Sequence, residues 1–115
     1  MKTLVYSGQK YSSFYTVIKH VGEHIHEVSS LVVPSNIRLC HKLVRWASEN
    51  EIECQVVKAD LSLPDDQQDM DVAMRCLSTG PGRVLAFPGG TSTRWVERTA
   101  REKGIPTLWL GGFRP

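Results

Sequence analysis

Residues 88–94 read PGGTSTR and combine the residue types that a phosphate-binding loop needs. Gly89 and Gly90 lack a Cβ atom, so the backbone there can turn tightly and approach a ligand closely. The hydroxyl side chains that follow can donate hydrogen bonds or cap a helix. The N–H groups in the first turn of a helix, together with its dipole, favour an anion. We therefore predict a phosphate-binding loop made of Pro88, Gly89, Gly90, Thr91, Ser92, Thr93 and Arg94. On spacing alone, a plain tight turn followed by a helix cap fits these residues equally well.

The elements that would position this loop alternate along the chain. Short apolar runs occupy residues 3–8, 29–36, 53–59, 83–87 and 105–110, and each is typical of a strand. Apolar residues recur every three or four positions in the segments between them, which predicts helices over 12–28, 37–52, 69–78 and 92–104. Ahead of the third of these, Pro64, Asp65 and Asp66 are typical of a helix start. Strands that alternate with helices form a parallel sheet covered on both faces. We predict one α/β domain over residues 1–115, a Rossmann-like three-layer α/β/α sandwich with a parallel sheet of about five strands.

Ligands bind such sheets at the carboxyl ends of the strands, near the point where the strand order reverses. The loops after the first two predicted strands should therefore complete the pocket. Their candidate ligand-binding residues are Ser7, Gly8 and Gln9 in the first loop, and Asn36 and Arg38 in the second. Asp60, after the third strand, is placed to hydrogen-bond a ribose hydroxyl, although an ordinary turn suits it slightly better.

Composition and charge limit the classes of partner. The formal net charge of +2 lacks the clustered basic excess of a nucleic-acid-binding domain. No apolar run reaches the length of a membrane span, and the N-terminus lacks the features of a signal peptide. Three widely spaced cysteines are typical of reduced thiols in a cytoplasmic protein. We expect neither a membrane nor nucleic acid as a partner, and no cofactor.

A formal zinc motif, HVGEH, occurs over residues 20–24. His20 and His24 share a helix face, but that face lies opposite the apolar stripe and offers no third ligand. Catalytic zinc needs three protein ligands. We interpret the motif as a solvated helix face and predict no metal site.

The segment from Val84 to Pro106, VLAFPGGTSTRWVERTAREKGIP, resembles the last β-α-β unit of the SLOG superfamily, named for Smf/DprA and LOG proteins. It is most similar to the small stand-alone YspA-like branch. The matching residues are Ala86, Phe87, Pro88, Gly89, Gly90, Thr93, Ala100, Gly104, Ile105 and Pro106. The resemblance extends over residues 1–110, although only the last third is specific. It implies a Rossmann-like fold, nucleotide binding through the glycine-rich loop, and a homo-oligomer, a dimer or higher.

The chain departs from the superfamily's enzymes at the catalytic position. LOG enzymes cleave the N-glycosidic bond of nucleoside monophosphates, and their motif, PGGxGTxxE, ends in a Glu that serves catalysis. That position falls on Val96 here, and Ser92 replaces the middle Gly of GxGT. Glu97 comes one residue later and would face about 100° away around the helix. The branch's second loop, GGARGAD, becomes SNIRLCH at residues 35–41, which keeps only Arg38.

From these observations we expect a protein that binds a phosphate-bearing nucleotide or nucleotide-derived signal of the AMP, ADP-ribose or cyclic ADP-ribose class. It would act as a sensor or sequestering module without chemistry of its own. The resemblance further implies a role in phage–bacterium conflict. The alternative is a LOG-like phosphoribohydrolase, in which Glu97 would have to replace the missing carboxylate. A DprA-like role in DNA binding is disfavoured by the small net charge.

Overall fold

The computed structural model describes residues 1–89 and 91–110, and all of their side chains except those of Ile25 and Thr91. Its strands are Lys2–Tyr6 (β1), Ser30–Pro34 (β2), Glu53–Val57 (β3), Arg83–Ala86 (β4) and Thr107–Trp109 (β5). Its helices are Phe14–Glu23 (α1), Cys40–Glu49 (α2), Asp65–Ser78 (α3) and Thr91–Glu102 (α4), with a 3-10 turn at Ile25–Glu27. Within this described part, the strands form one parallel sheet in the order β3-β2-β1-β4-β5. The predicted Rossmann-like α/β fold is confirmed.

Both faces of the sheet are covered because side chains alternate along the central strands. In β1, Val5 packs on one face against α1 and α2, whereas Leu4 and Tyr6 pack on the other against α3 and α4. The helices meet these faces with their apolar stripes, such as Val17 in α1 and Val96 in α4. Burial on both faces gives the three layers that the alternation of strands and helices predicted.

The strand order reverses at β1, which lies between β2 and β4. The loop that follows β1 and the loop that follows β4 therefore run to opposite faces of the sheet. A crevice opens between the first residues of these two loops. The register pairs Tyr6 with Ala86, so both strands end at the same edge. This edge is where the predicted loops should meet.

Several predicted boundaries were too generous. The helix predicted over 37–52 begins only at Cys40, because residues 35–39 form a turn after β2. The helix predicted over 12–28 ends at Glu23 and is followed by the 3-10 turn. Helix α3 begins directly after Pro64, at the helix start that Pro64, Asp65 and Asp66 predicted, and it continues through the segment 69–78. No helix in the described part of the chain is long and apolar enough to cross a membrane.

Candidate functional site

The loops after β1 and β4 touch each other at the edge where the strands end. The amide nitrogen of Gly8 donates a hydrogen bond to the carbonyl oxygen of Pro88 at 3.1 Å. A Cβ atom on Gly89 would lie 2.0 Å from that nitrogen and 2.2 Å from the Gly8 Cα. Only glycine fits at position 89, since no other side chain can be accommodated at those distances. The contact between the two loops therefore explains the first glycine of the predicted phosphate loop.

A cleft of about 830 Å³ opens beside this contact. Its volume lies in the range of sites that hold small ligands and cofactors. Three parts of the chain form its walls: the loop after β1, helix α3, and the β4 loop with the first turn of α4. The lining residues are Gly8, Gln9, Lys10, Tyr11, Asp66, Asp69, Met70, Pro88, Gly89 and Ser92.

Asp69, in α3, lines the cleft and is held by two side-chain hydrogen bonds. Its Oδ1 accepts a hydrogen bond from Asn36 Nδ2 at 2.6 Å and a second, short one from Gln9 Nε2. An ionised carboxylate only accepts hydrogen bonds, so both amides must present their nitrogens to it. The described residues give Oδ2 no hydrogen bond. Gln9 and Asn36, predicted as ligand contacts, thus direct their donors to a carboxylate at the cleft.

Tyr6 lies beneath the cleft and links β1 to both neighbouring helices. Burial raises the pKa of its hydroxyl to about 12, and a hydrogen bond with Ser92 partly opposes that rise. The hydroxyl therefore stays protonated at neutral pH and donates to the backbone carbonyl of Asp69 at 3.3 Å. This contact fixes the α3 backbone at the residue whose carboxylate faces the cleft.

Thr93, in the first turn of α4, is fully buried beside the loop contact. Its Oγ1 would lie 2.9 Å from a Cβ on Gly89, and no described residue forms a hydrogen bond with it. A buried hydroxyl without a partner costs about 1–3 kcal/mol. Such a group is expected where a ligand or a bound water supplies the missing hydrogen bond.

The remaining predicted site residues are distributed around the cleft. Gly8, Gln9, Pro88, Gly89 and Ser92 line it. The Ser7 hydroxyl instead donates to the Gly8 carbonyl at 2.9 Å, and Arg38 approaches through its backbone N–H, which donates to the Gln9 carbonyl while its side chain is exposed. Arg94 is exposed and lines smaller depressions along α4. Gly90 and the Thr91 side chain lie outside the described residues.

The structure separates the candidate catalytic carboxylate from the cleft. Glu97 is buried, and its Oε1 lies 3.1 Å from Arg101 Nη2 in a depression on α4 that the cleft does not include. Val96, at the position of the LOG catalytic Glu, is fully buried against the sheet. The carboxylates that do line the cleft are Asp66 and Asp69, which the sequence analysis did not select.

Two weaker candidates have structural roles. Asp60 Oδ1 accepts hydrogen bonds from the backbone nitrogen and the hydroxyl of Ser62, at 3.0 Å and 2.6 Å, and these bonds hold the pKa of Asp60 below its usual value. Asp60 therefore stabilises a turn.

His20 lies 3.5 Å from the Glu23 carboxylate, and its ring is 6.2 Å from that of Phe87, so it is less solvated than predicted. Among the described residues, no group of three His, Cys, Asp or Glu side chains is placed to hold a metal ion.

Comparison with known proteins adds no assignment to this geometry. No protein-family model matches the chain, and no curated protein matches it. The SLOG resemblance thus rests on the residues quoted from the last third of the sequence. The function has to be argued from the cleft itself.

Proposed function

We propose that the cleft binds a phosphate-bearing nucleotide or nucleotide-derived signal, with the phosphate at the first turn of α4. The observation that carries this proposal is the buried Thr93 hydroxyl, which lacks a partner among the described residues and lies directly behind Gly89. Ser92, in the same turn, lines the cleft. A phosphate oxygen placed at this turn would accept hydrogen bonds from backbone N–H groups. The Ser92 hydroxyl would exchange its bond with Tyr6 for one to the phosphate, and the Thr93 hydroxyl, which does not itself line the cleft, would reach the phosphate past Gly89.

The charges around the cleft favour this end for the phosphate. The first turn of α4 carries no acidic residue, so the partial positive charge at its N-terminus is not neutralised locally. By contrast, the first turn of α3 carries Asp65 and Asp66, which already compensate that helix and repel an anion. Lys10, in the loop after β1, supplies a cation at the cleft. The phosphate would therefore lie on the α4 side, away from α3.

The other wall suits the rest of a nucleotide. Tyr11 stacks on Phe87 with ring centroids 5.9 Å apart, and with Met70 it gives the cleft an apolar surface for a base. AMP, ADP-ribose and cyclic ADP-ribose all combine such a base with a phosphate and a ribose. The cleft volume admits ligands of this class.

We favour binding over hydrolysis because the LOG catalytic position holds the buried Val96, and Glu97 faces a different depression. A sensor or sequestering module is the function that remains. We extend the proposal, on the resemblance alone, to a cytoplasmic homo-oligomer, a dimer or higher, that acts in phage–bacterium conflict. The phosphoribohydrolase alternative would need Asp66 or Asp69 in place of the missing Glu.

A thermal-shift panel tests the proposal with AMP, ADP, cyclic AMP, NAD, ADP-ribose, cyclic ADP-ribose and inorganic phosphate. A ligand present at about 100 times its dissociation constant stabilises the fold by about 2.7 kcal/mol. For a domain of this size, that raises the melting temperature by roughly 10 °C. Each ligand that shifts the melting temperature is then incubated with the protein and assayed for free base by chromatography. No shift with any nucleotide would overturn the proposal, and release of base would favour the hydrolase.

A further inference from the structure

The Asp69 carboxylate is oriented by three separate elements. The loop after β1 contributes Gln9, the turn after β2 contributes Asn36, and β1 itself contributes the Tyr6 hydroxyl that holds the Asp69 backbone carbonyl. Both amides engage Oδ1, and the described residues leave Oδ2 without a hydrogen bond. A carboxylate held in this way presents a fixed acceptor to the cleft that it lines.

This acceptor determines which part of a ligand can lie against α3. A phosphate there would be repelled by Asp69 and by the neighbouring Asp66. A group that donates hydrogen bonds would instead gain charge-assisted bonds, which are stronger than those between neutral groups. In a nucleotide whose phosphate lies at α4, the nearest group able to donate is the sugar, through its 2′ and 3′ hydroxyls.

We propose that Asp69 accepts hydrogen bonds from the ribose hydroxyls, which makes the cleft selective for ribonucleotides over 2′-deoxyribonucleotides. This inference rests on the proposed function, and it adds a sugar-specificity residue to the phosphate site. Asp60 was a weaker candidate for such a role, and Ser62 holds it in the turn that suited it better. Asp69 takes the role because it faces the cleft and its position is fixed.

Gln9 and Asn36 act as positioning residues in this arrangement. The loops that carry them are themselves joined, because the Arg38 backbone nitrogen donates to the Gln9 carbonyl at 2.9 Å. The three side chains thus form one connected unit across the carboxyl ends of β1 and β2. The second observation that marks the cleft as a ligand site is the buried Thr93 hydroxyl, which lies behind Gly89 on the opposite side of the cleft and has no hydrogen-bond partner among the described residues.

The test compares AMP and ADP-ribose with their 2′-deoxyadenosine counterparts by isothermal titration calorimetry. The wild-type protein should bind the ribose form about tenfold more tightly, as expected for the loss of a hydrogen bond to a charged group. Asp69→Asn should reduce this preference to less than about twofold while binding of the deoxy form persists. Asp71→Asn is the matched control. It makes the same charge change on the same helix, at a residue that pairs with Arg75 and does not line the cleft.

The outcomes separate the two proposals. Equal binding of ribose and deoxyribose forms by the wild-type protein overturns the role of Asp69 and leaves the phosphate site intact. A ribose preference that survives in Asp69→Asn also overturns it. Absence of binding by all four compounds overturns this inference together with the proposed function. The wild-type comparison needs no variant, so it decides the question even if Asp69→Asn fails to fold, which circular dichroism would reveal.

Discussion

A Cβ atom on Gly89 would lie 2.0 Å from the amide nitrogen of Gly8, a separation that real Cβ atoms essentially never show. The atom it would meet belongs to the backbone, which cannot rotate away as a flexible side chain can. The loops after β1 and β4 thus approach each other as closely as two backbones allow. This relationship fixes the shape of the cleft and underlies the first prediction.

Gly89→Ala should lower the free energy of unfolding by about 1–3 kcal/mol, since the loops must separate to admit the methyl group. Urea denaturation measures the change. The matched control is Gly22→Ala in α1, where a Cβ would meet no atom within 4 Å. That variant should gain about 0.5–1 kcal/mol, because alanine costs less backbone entropy in a helix. Equal effects at the two positions would contradict the close approach.

Thr93→Val removes the buried hydroxyl while it keeps the shape of the side chain. Because no described residue forms a hydrogen bond with this hydroxyl, the variant should be as stable as the wild type or more stable by up to about 1 kcal/mol. Its binding of phosphorylated ligands should weaken by about tenfold, as measured by calorimetry.

Thr107→Val provides the contrast to that variant. The Thr107 hydroxyl donates to the Ile105 carbonyl at 2.9 Å, so its loss should cost about 1 kcal/mol of stability and leave binding unchanged. A Thr93→Val protein that is destabilised but binds normally would remove the main support for the phosphate site.

Glu97→Gln should leave ligand affinity unchanged, because Glu97 pairs with Arg101 outside the cleft. The ion pair joins the buried Glu97 to the half-exposed Arg101, so Glu97→Gln should also lower the free energy of unfolding. Calorimetry with AMP and ADP-ribose checks the affinity, and chromatography checks for free base. If the wild-type protein releases base from either compound, the hydrolase alternative is correct, and loss of that release in Glu97→Gln would make Glu97 its carboxylate in place of Asp66 or Asp69.

Stability should fall at alkaline pH because of Tyr6. Burial raises its pKa in the folded state to about 12, above the ordinary tyrosine value of 10.0, so the folded state favours the neutral phenol. This contribution is fully present below pH 10 and decreases as the pH rises towards 12. Tyr6→Phe should flatten the loss of stability between pH 10 and 12, measured by chemical denaturation. It should also remove a phenolate absorbance step near pH 12. A wild-type titration that is complete by pH 11 would contradict the burial of this hydroxyl.

The fold was readable from the sequence because its signals are local. Short apolar runs alternate along the sequence with segments of helical spacing, and this alternation predicted the five strands and four helices. The glycine loop was correctly predicted to precede α4. Boundaries were less accurate where tertiary contacts decide them. The turn at residues 35–39 is one such case, since the backbone nitrogen of Arg38 bonds to Gln9 in another loop.

The site was only partly readable, because its polar contacts join distant positions. Gln9 and Asp69 are 60 positions apart, and Asn36 and Asp69 are 33 apart. The sequence shows several carboxylates near the start of α3, but which of them faces the cleft depends on how that helix packs on the sheet. Glu97 was a candidate because it follows Val96, which falls on the position of the LOG catalytic Glu. The packing of α4 instead directs the Glu97 side chain to Arg101, outside the cleft.

The position of β1 between β2 and β4 has a consequence for folding. The pairing of β1 with β2 joins neighbouring segments, whereas its pairing with β4 must close a loop over most of the chain. Two of the three walls of the cleft come from residues after β1 and residues after β4, so the cleft exists only once that long loop has closed. A half-folded chain would have no site. A bound ligand should therefore slow hydrogen exchange across the whole sheet, since it opposes global unfolding rather than local opening.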